Sequence, residues 1–145
     1  MFKSILVPVD GSKLSLKALG YARKLVASSG AKLTIMTASP EFPTMVGGEG
    51  YMVTALSTKQ WDAMIAKRSD SIRERVTKEL KGTPYEFTVM TSDLPYDAII
   101  KVAKKRKCDL IIMASHGRRG LAALLLGSET TKVLTHSSIP VLVCR

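Results

Sequence analysis

A chain of 145 residues suits one domain, because domains usually run roughly 100–200 residues and one of this size hides about 70% of its unfolded surface. Twenty-two lysines and arginines against twelve acidic residues give a net charge of +10, and 46% of the residues are hydrophobic. That content excludes extensive disorder, while the charge admits acidic partners, names none and favours solubility.

The run from Ile5 to Val9 is short, apolar and followed by Asp10-Gly11-Ser12. It predicts a strand buried on both faces, as in a parallel sheet. Leu14, Ala18, Ala22, Leu25 and Val26 then recur at helical spacing, with Ser12 placed to cap the helix and Gly30 to close it. Residues 32–37 read as a second strand, so the chain opens with a βαβ unit, which crosses over right-handed. Residues 39–58 hold Pro40, Pro43, Gly47, Gly48 and Gly50. They read as a loop long enough to serve as a lid. Trp61, Met64, Ile65, Ile72, Val76 and Leu80 mark one face of a long helix. Its other face (Lys67, Arg68, Asp70, Arg73, Glu74 and Arg75) reads as solvated.

Residues 86–91 alternate polar and apolar, as in a strand near a sheet edge. Pro95 fits the first turn of a helix through Tyr96, Ile99, Ile100 and Ala103. Residues 109–113 form the most apolar strand candidate and are expected at the centre of the sheet. A last helix starts at Ser128, itself a good N-cap residue, and residues 139–143 make a final strand. Five strands alternating with four helices mean a single α/β domain over residues 1–145. The expectation is a parallel sheet in the order 3-2-1-4-5 with helices on both faces.

Two cysteines, Cys108 and Cys144, are too few for a disulfide scaffold and match no zinc spacing. Both are expected to be ordinary buried thiols. No apolar run approaches the ~18 residues of a membrane span, and the opening MFKSILVPVDGS lacks the features of a signal peptide. A cytoplasmic protein without a membrane partner is the expectation.

In open α/β sheets ligands bind beyond the carboxyl ends of the strands, where the strand order reverses. That directs attention to Asp10-Gly11-Ser12, to Thr37-Ala38-Ser39, and to the segment Ala114-Ser115-His116-Gly117-Arg118-Arg119-Gly120 with the Gly127-Ser128-Glu129-Thr130 that follows it. Gly117 and Gly120 let backbone turn sharply and approach a ligand. Ser128 and the amides after it belong to a helix N-terminus, which attracts anions. Arg118 and Arg119 add guanidinium donors suited to phosphate. Together these parts make a phosphate cradle, although neither the P-loop pattern nor the Rossmann glycine fingerprint is present.

These residues carry a resemblance. ILVPVDGS, DLIIMASHGRRGL and LLLGSETTKVLTHSSIPVLV resemble the universal stress protein family over nearly the whole chain. Nucleotide-binding members of that family carry Gly-x2-Gly-x9-Gly-Ser/Thr, which Gly117, Gly127 and Ser128 match. The first glycine of the pattern falls on Ala114. If that position requires a positive φ, the alanine costs roughly 1–2 kcal/mol.

The resemblance implies an adenine-nucleotide alpha-hydrolase-like fold that binds ATP or a related nucleotide as a regulatory, stress-response module. It implies Pro8 and Val9 against the base and Asp10 near the ribose or a magnesium ion carried by the nucleotide. Ala38 would line the adenine slot. Gly117, Arg118, Gly120, Gly127, Ser128 and Glu129 would surround ribose and phosphates, and Met113, Ala114 and His116 would belong to the same site. It also implies a homodimer through the C-terminal strand and an unidentified regulatory protein partner. Nucleotide binding would order the 39–58 loop and the glycine segment by population shift.

Two other readings stand beside it: a dimeric interaction protein that binds no nucleotide, and a slow ATP hydrolase. No dedicated catalytic set is evident, since neither Gly-x-Ser-x-Gly nor His-Glu-x-x-His occurs. The basic run from Lys104 to Lys107 sits where a helix ends and lacks interleaved aromatics, so nucleic acid is not the expected partner. His116 is expected in a structural or supporting role, His136 at a helix end, and Met36, Met90 and Met113 in the core.

Overall fold

The computed structural model describes residues 1–43, 56–116 and 126–145. Its elements alternate throughout: β1 (Ser4–Pro8), α1 (Lys13–Ser29), β2 (Lys32–Ser39), α2 (Thr58–Leu80), β3 (Glu86–Thr91), α3 (Pro95–Lys105), β4 (Leu110–Ala114), α4 (Ser128–His136) and β5 (Val141–Cys144). The strands form one parallel sheet in the order β3-β2-β1-β4-β5. The expected topology is therefore the observed one. Among the described residues no helix is long and apolar enough to cross a membrane.

The apolar strands are explained by two separate cores. Ile5 and Val7 point to one face of the sheet and meet Leu16, Leu19 and Ala22 of α1 and Ile72, Val76 and Leu80 of α2. Leu6 points to the other, with Met36, Ile111 and Met113, and meets Ala98, Ile99, Val102 and Ala103 of α3 and Val133 of α4. A strand covered on both faces has no polar side to alternate with, so its sequence runs apolar without a break.

Local signals set the helix ends. Ser12 Oγ accepts from the Ser15 amide at 3.1 Å and caps α1, and Gly30 ends it with φ 68°. α2 opens with a reciprocal capping box: Ser57 Oγ accepts from the Gln60 amide at 3.2 Å, and Gln60 Oε1 accepts from the Ser57 amide at 2.9 Å. The long loop expected before it lies largely outside the described residues.

β4 is, as expected, interior to the sheet and buried along its whole length. Several expectations are corrected. β2 runs on to Ser39 because it stays paired with β3 as far as Thr91. Only the second half of the predicted apolar face of α2 is seated on the core. Met64 is 45% exposed, and Trp61 instead meets the ring of Phe42 edge-on at 5.8 Å. β5 begins at Val141 rather than at residue 139. The Ser137 hydroxyl holds the Ile139 amide in a turn at 3.0 Å, and Pro140 offers no N–H.

Asp109 is not part of β4 but clasps it to β1. Its carboxylate accepts from the amides of Lys3 (2.8 Å) and Ser4 (2.9 Å), and its own amide donates to the Ser4 carbonyl at 2.9 Å. Burial pushes its carboxyl group upward, but the amides of Ser4 and Lys3 outweigh that and hold it below the usual value. The clasp is therefore complete above the ordinary Asp pKa of about 3.9 and is lost as pH falls through the lower native value. Asp109→Asn is expected to lower stability by about 1–2 kcal/mol at pH 7. Urea melts should show the gap between variant and wild type narrowing as pH falls below the ordinary Asp value and through the lower native one.

Candidate functional site

β1 pairs with β2 on one side and β4 on the other, so the chain's connections part at the β1–β4 junction. A cleft of about 520 Å³ opens there, at the carboxyl ends of β1, β2 and β4. Its lining includes ten of the residues singled out from the sequence: Pro8, Val9, Asp10, Ala38, Met113, Ala114, His116, Gly127, Ser128 and Glu129. Gly117, Arg118 and Gly120 lie outside the described residues.

The first wall is the turn after β1. Asp10 Oδ1 accepts from the Ser12 amide at 2.9 Å, closing an Asx turn. Gly11 adopts φ 83°, and a Cβ there would stand 3.3 Å from Ile72 Cγ1. Arg75 Nη1 donates to the Gly11 carbonyl at 2.6 Å, so α2 holds this turn from outside.

The second wall is the start of α4. Gly127 is its N-cap, with φ −61° and ψ 152°, and Ser128 is the first helical residue, which corrects the expected capping role of Ser128. Gly127 has no side chain to satisfy the first-turn amides, so the positive end of the helix dipole stays available for an anion. Two bonds strap this turn to the end of β4. The Gly127 amide donates to the Ser115 carbonyl at 2.7 Å, and the buried Thr130 hydroxyl donates to the Ala114 carbonyl at 2.9 Å.

Glu129 serves a neighbouring helix. Its Oε2 accepts from the Tyr96 amide at 2.8 Å, and Oε1 accepts from Lys132 Nζ at 3.0 Å. Leu94, the N-cap of α3, supplies no side-chain cap, and Pro95 has no N–H. The carboxylate thus caps α3 from α4 and ties two helix N-termini together beside the cleft.

Between the walls lie Pro8, Met36, Ala38, Ile99 and Met113, which give the cleft an apolar interior. His116 is half-buried at its edge, with Nδ1 3.0 Å from Ser115 Oγ. Ala114 is regular β4 backbone and is not among the residues with positive φ, so the alanine carries no left-handed strain.

Reading the sequence missed several lining residues: Ser15, Met36, Arg68, Asp93, Pro95 and Ile99. Arg68 belongs to the face of α2 expected to be solvated, yet it is half-buried and lines the cleft. Asp93 Oδ1 accepts from the Glu41 amide at 3.0 Å. Helical periodicity could have placed Arg68 one turn before Ile72, on the edge of the buried stripe. Nothing local marked Asp93. Of the other expectations, Met36 and Met113 are buried, Met90 is half-buried, and Cys108 and Cys144 are buried free thiols. Burial, in each case the largest influence, pushes both thiols above their usual value. His136 ends α4, with Nδ1 2.8 Å from the Lys132 carbonyl.

Fold and cleft together define a doubly wound parallel α/β domain that opens at its switch point. A family model described as the universal stress protein family matches residues 1–145. The universal stress protein in the QAH/OAS sulfhydrylase 3' region of Thermus aquaticus is 31% identical over 145 residues, covering 100% of both chains. The structure of a universal stress protein in complex with cAMP is 28% identical, with a TM-score of 0.67, over 99% of this chain and 97% of that one. That of the universal stress protein UspA from Lactobacillus plantarum is 25% identical, with a TM-score of 0.75, over 99% and 97%. The chain belongs to the universal stress protein family.

Thr130→Val removes the hydroxyl that straps α4 to β4 and leaves buried carbonyl oxygen less satisfied. Denaturant melts are expected to show a loss of about 1–2 kcal/mol. A midpoint equal to wild type would mean that the strap contributes nothing to stability.

Proposed function

We propose that this chain binds an adenine nucleotide, ATP or a close relative, in the switch-point cleft and acts as a regulatory module of the stress response. The observation that carries the reading is the N-terminus of α4, which has no side-chain cap among the described residues and opens onto an apolar slot. Such a slot suits a planar base, and the helix N-terminus suits a phosphate. The 28%-identical universal stress protein in complex with cAMP supports the choice of ligand class.

In this reading Pro8, Val9, Met36, Ala38 and Met113 enclose the base. Asp10 faces the ribose or a magnesium ion carried by the phosphates. The backbone at Ala114 and Gly127 and the amides from Ser128 onward hold the phosphate groups, with His116 at the rim. Glu129 already caps α3, so its contribution is to hold α4 in place. Gly117, Arg118 and Gly120 complete the phosphate side by the family pattern. The absence of left-handed strain at Ala114 removes the main energetic objection to this arrangement.

The assembly we propose is a cytoplasmic homodimer through β5. That strand lies at the sheet edge, and Leu142 on it is 39% exposed. An exposed apolar edge strand is an aggregation hazard unless paired.

Calorimetry with Mg-ATP, cAMP and AMP tests the binding. Saturable heat is expected for at least one of the three. Gly127→Val should abolish the heat of cAMP and AMP, which carry no chain of phosphates, while the protein stays folded, because φ −61° and ψ 152° are open to any residue. No heat at millimolar nucleotide would leave the dimeric interaction protein as the better reading. Phosphate release above an Asp10→Ala control would establish slow hydrolysis.

A further inference from the structure

A second concavity lies in the α1–α2 layer, between the start of α1 and the end of α2. It encloses about 500 Å³ and is lined by Lys13, Leu16, Lys17, Arg75, Lys78 and Glu79. We propose that it is a second anion site that takes a short chain of phosphates.

The groove has two rows of cations. Lys13 and Lys17 are one turn apart on α1, and Arg75 and Lys78 are one turn apart on α2, over a floor made by the buried Leu16. Three ion pairs form elsewhere on the surface: Lys101 with Asp97, Arg106 with Glu86, and Lys132 with Glu129. Among the described residues, none of the groove's four cations is in an ion pair. The first turn of α1 holds no acidic residue, and Asp10, just before it, is engaged by the Ser12 amide rather than by the groove's cations. A concave site of one sign focuses potential and concentrates counter-ions.

The shape and chemistry select phosphate. The bond from Arg75 to the Gly11 carbonyl uses one guanidinium donor and fixes the head group, leaving its other N–H groups to meet oxyanions. The volume suits a compact ligand rather than a folded partner. Among the described residues no aromatic ring lines the groove, and nothing there stacks on a base. Recognition therefore falls on the phosphates, whether they come as inorganic oligophosphate or as the tail of a nucleotide. Glu79 is the one carboxylate in the lining among the described residues and opposes the anion, which gives the proposal a signed test.

The test is calorimetry on the full chain at low salt with inorganic tripolyphosphate. Wild type should bind, and affinity should fall as salt is raised. Lys17→Glu and Lys78→Glu should each weaken binding about tenfold or more, and Glu79→Gln should tighten it. Lys17, Lys78 and Glu79 are exposed, so thermal melts should stay near wild type.

Gly127→Val keeps the two sites separate. Tripolyphosphate affinity should survive in it, and cAMP binding to the cleft should survive in Lys17→Glu/Lys78→Glu. In the Gly127→Val background, ATP binding as well as tripolyphosphate would show that a nucleotide tail serves equally. AMP binding as tightly would overturn the assignment to a chain of phosphates. No tripolyphosphate binding by wild type, binding undiminished in the double lysine variant, or its loss in Gly127→Val would overturn the site itself.

Discussion

The pairing of β1 with both β2 and β4 is the constraint on which this molecule depends. It makes the first strand the middle of the sheet and sends the two halves of the chain in opposite directions from it. The loops leaving β1 and β4 must then part, and no helix can cross the gap between them. The cleft follows from that topology before any side chain is considered. Side chains decide what it can hold. Asp10 and Gly11 shape one lip, Gly127 and Thr130 the other, and Met36, Ala38 and Met113 keep the interior apolar.

The lips are held by bonds that cross between elements. Arg75 reaches from α2 to the Gly11 carbonyl, Thr130 from α4 to the Ala114 carbonyl, and Glu129 from α4 to the Tyr96 amide. Each satisfies a backbone group that the regular ladders leave over. Polar groups at element ends are the ones a fold must account for individually, and here that accounting also rigidifies the rim. Preorganised amides bind an anion without first paying to order themselves.

Much of this was legible in the sequence, because the signals are local. The apolar runs of β1 and β4 announce a sheet covered on both faces. Ser12, Gly30 and Pro95 sit at helix ends whose chemistry demands such residues. The glycines flanking the fourth strand pointed to a phosphate cradle, and the described part of that segment does line the cleft. What the sequence did not disclose depends on long-range placement. Arg68 looked like one more charge on a polar helix face until packing of Ile72 against the Gly11 turn brought it to the cleft. Asp93 is near Glu41 only because β2 and β3 are neighbours. The overreach of the α2 periodicity has the same origin: an amphipathic pattern states which face is apolar, not how many of its turns find a core.

The Asp109 clasp closes the seam between β1 and β4 at the end remote from the cleft. Cohesion of the central strand pair and access to its open mouth are thereby assigned to different residues. Lineages carrying such a frame can remodel the mouth for a new ligand while the seam behind it keeps the strands in register. The same division lets an engineer stiffen the scaffold from behind without touching recognition in front.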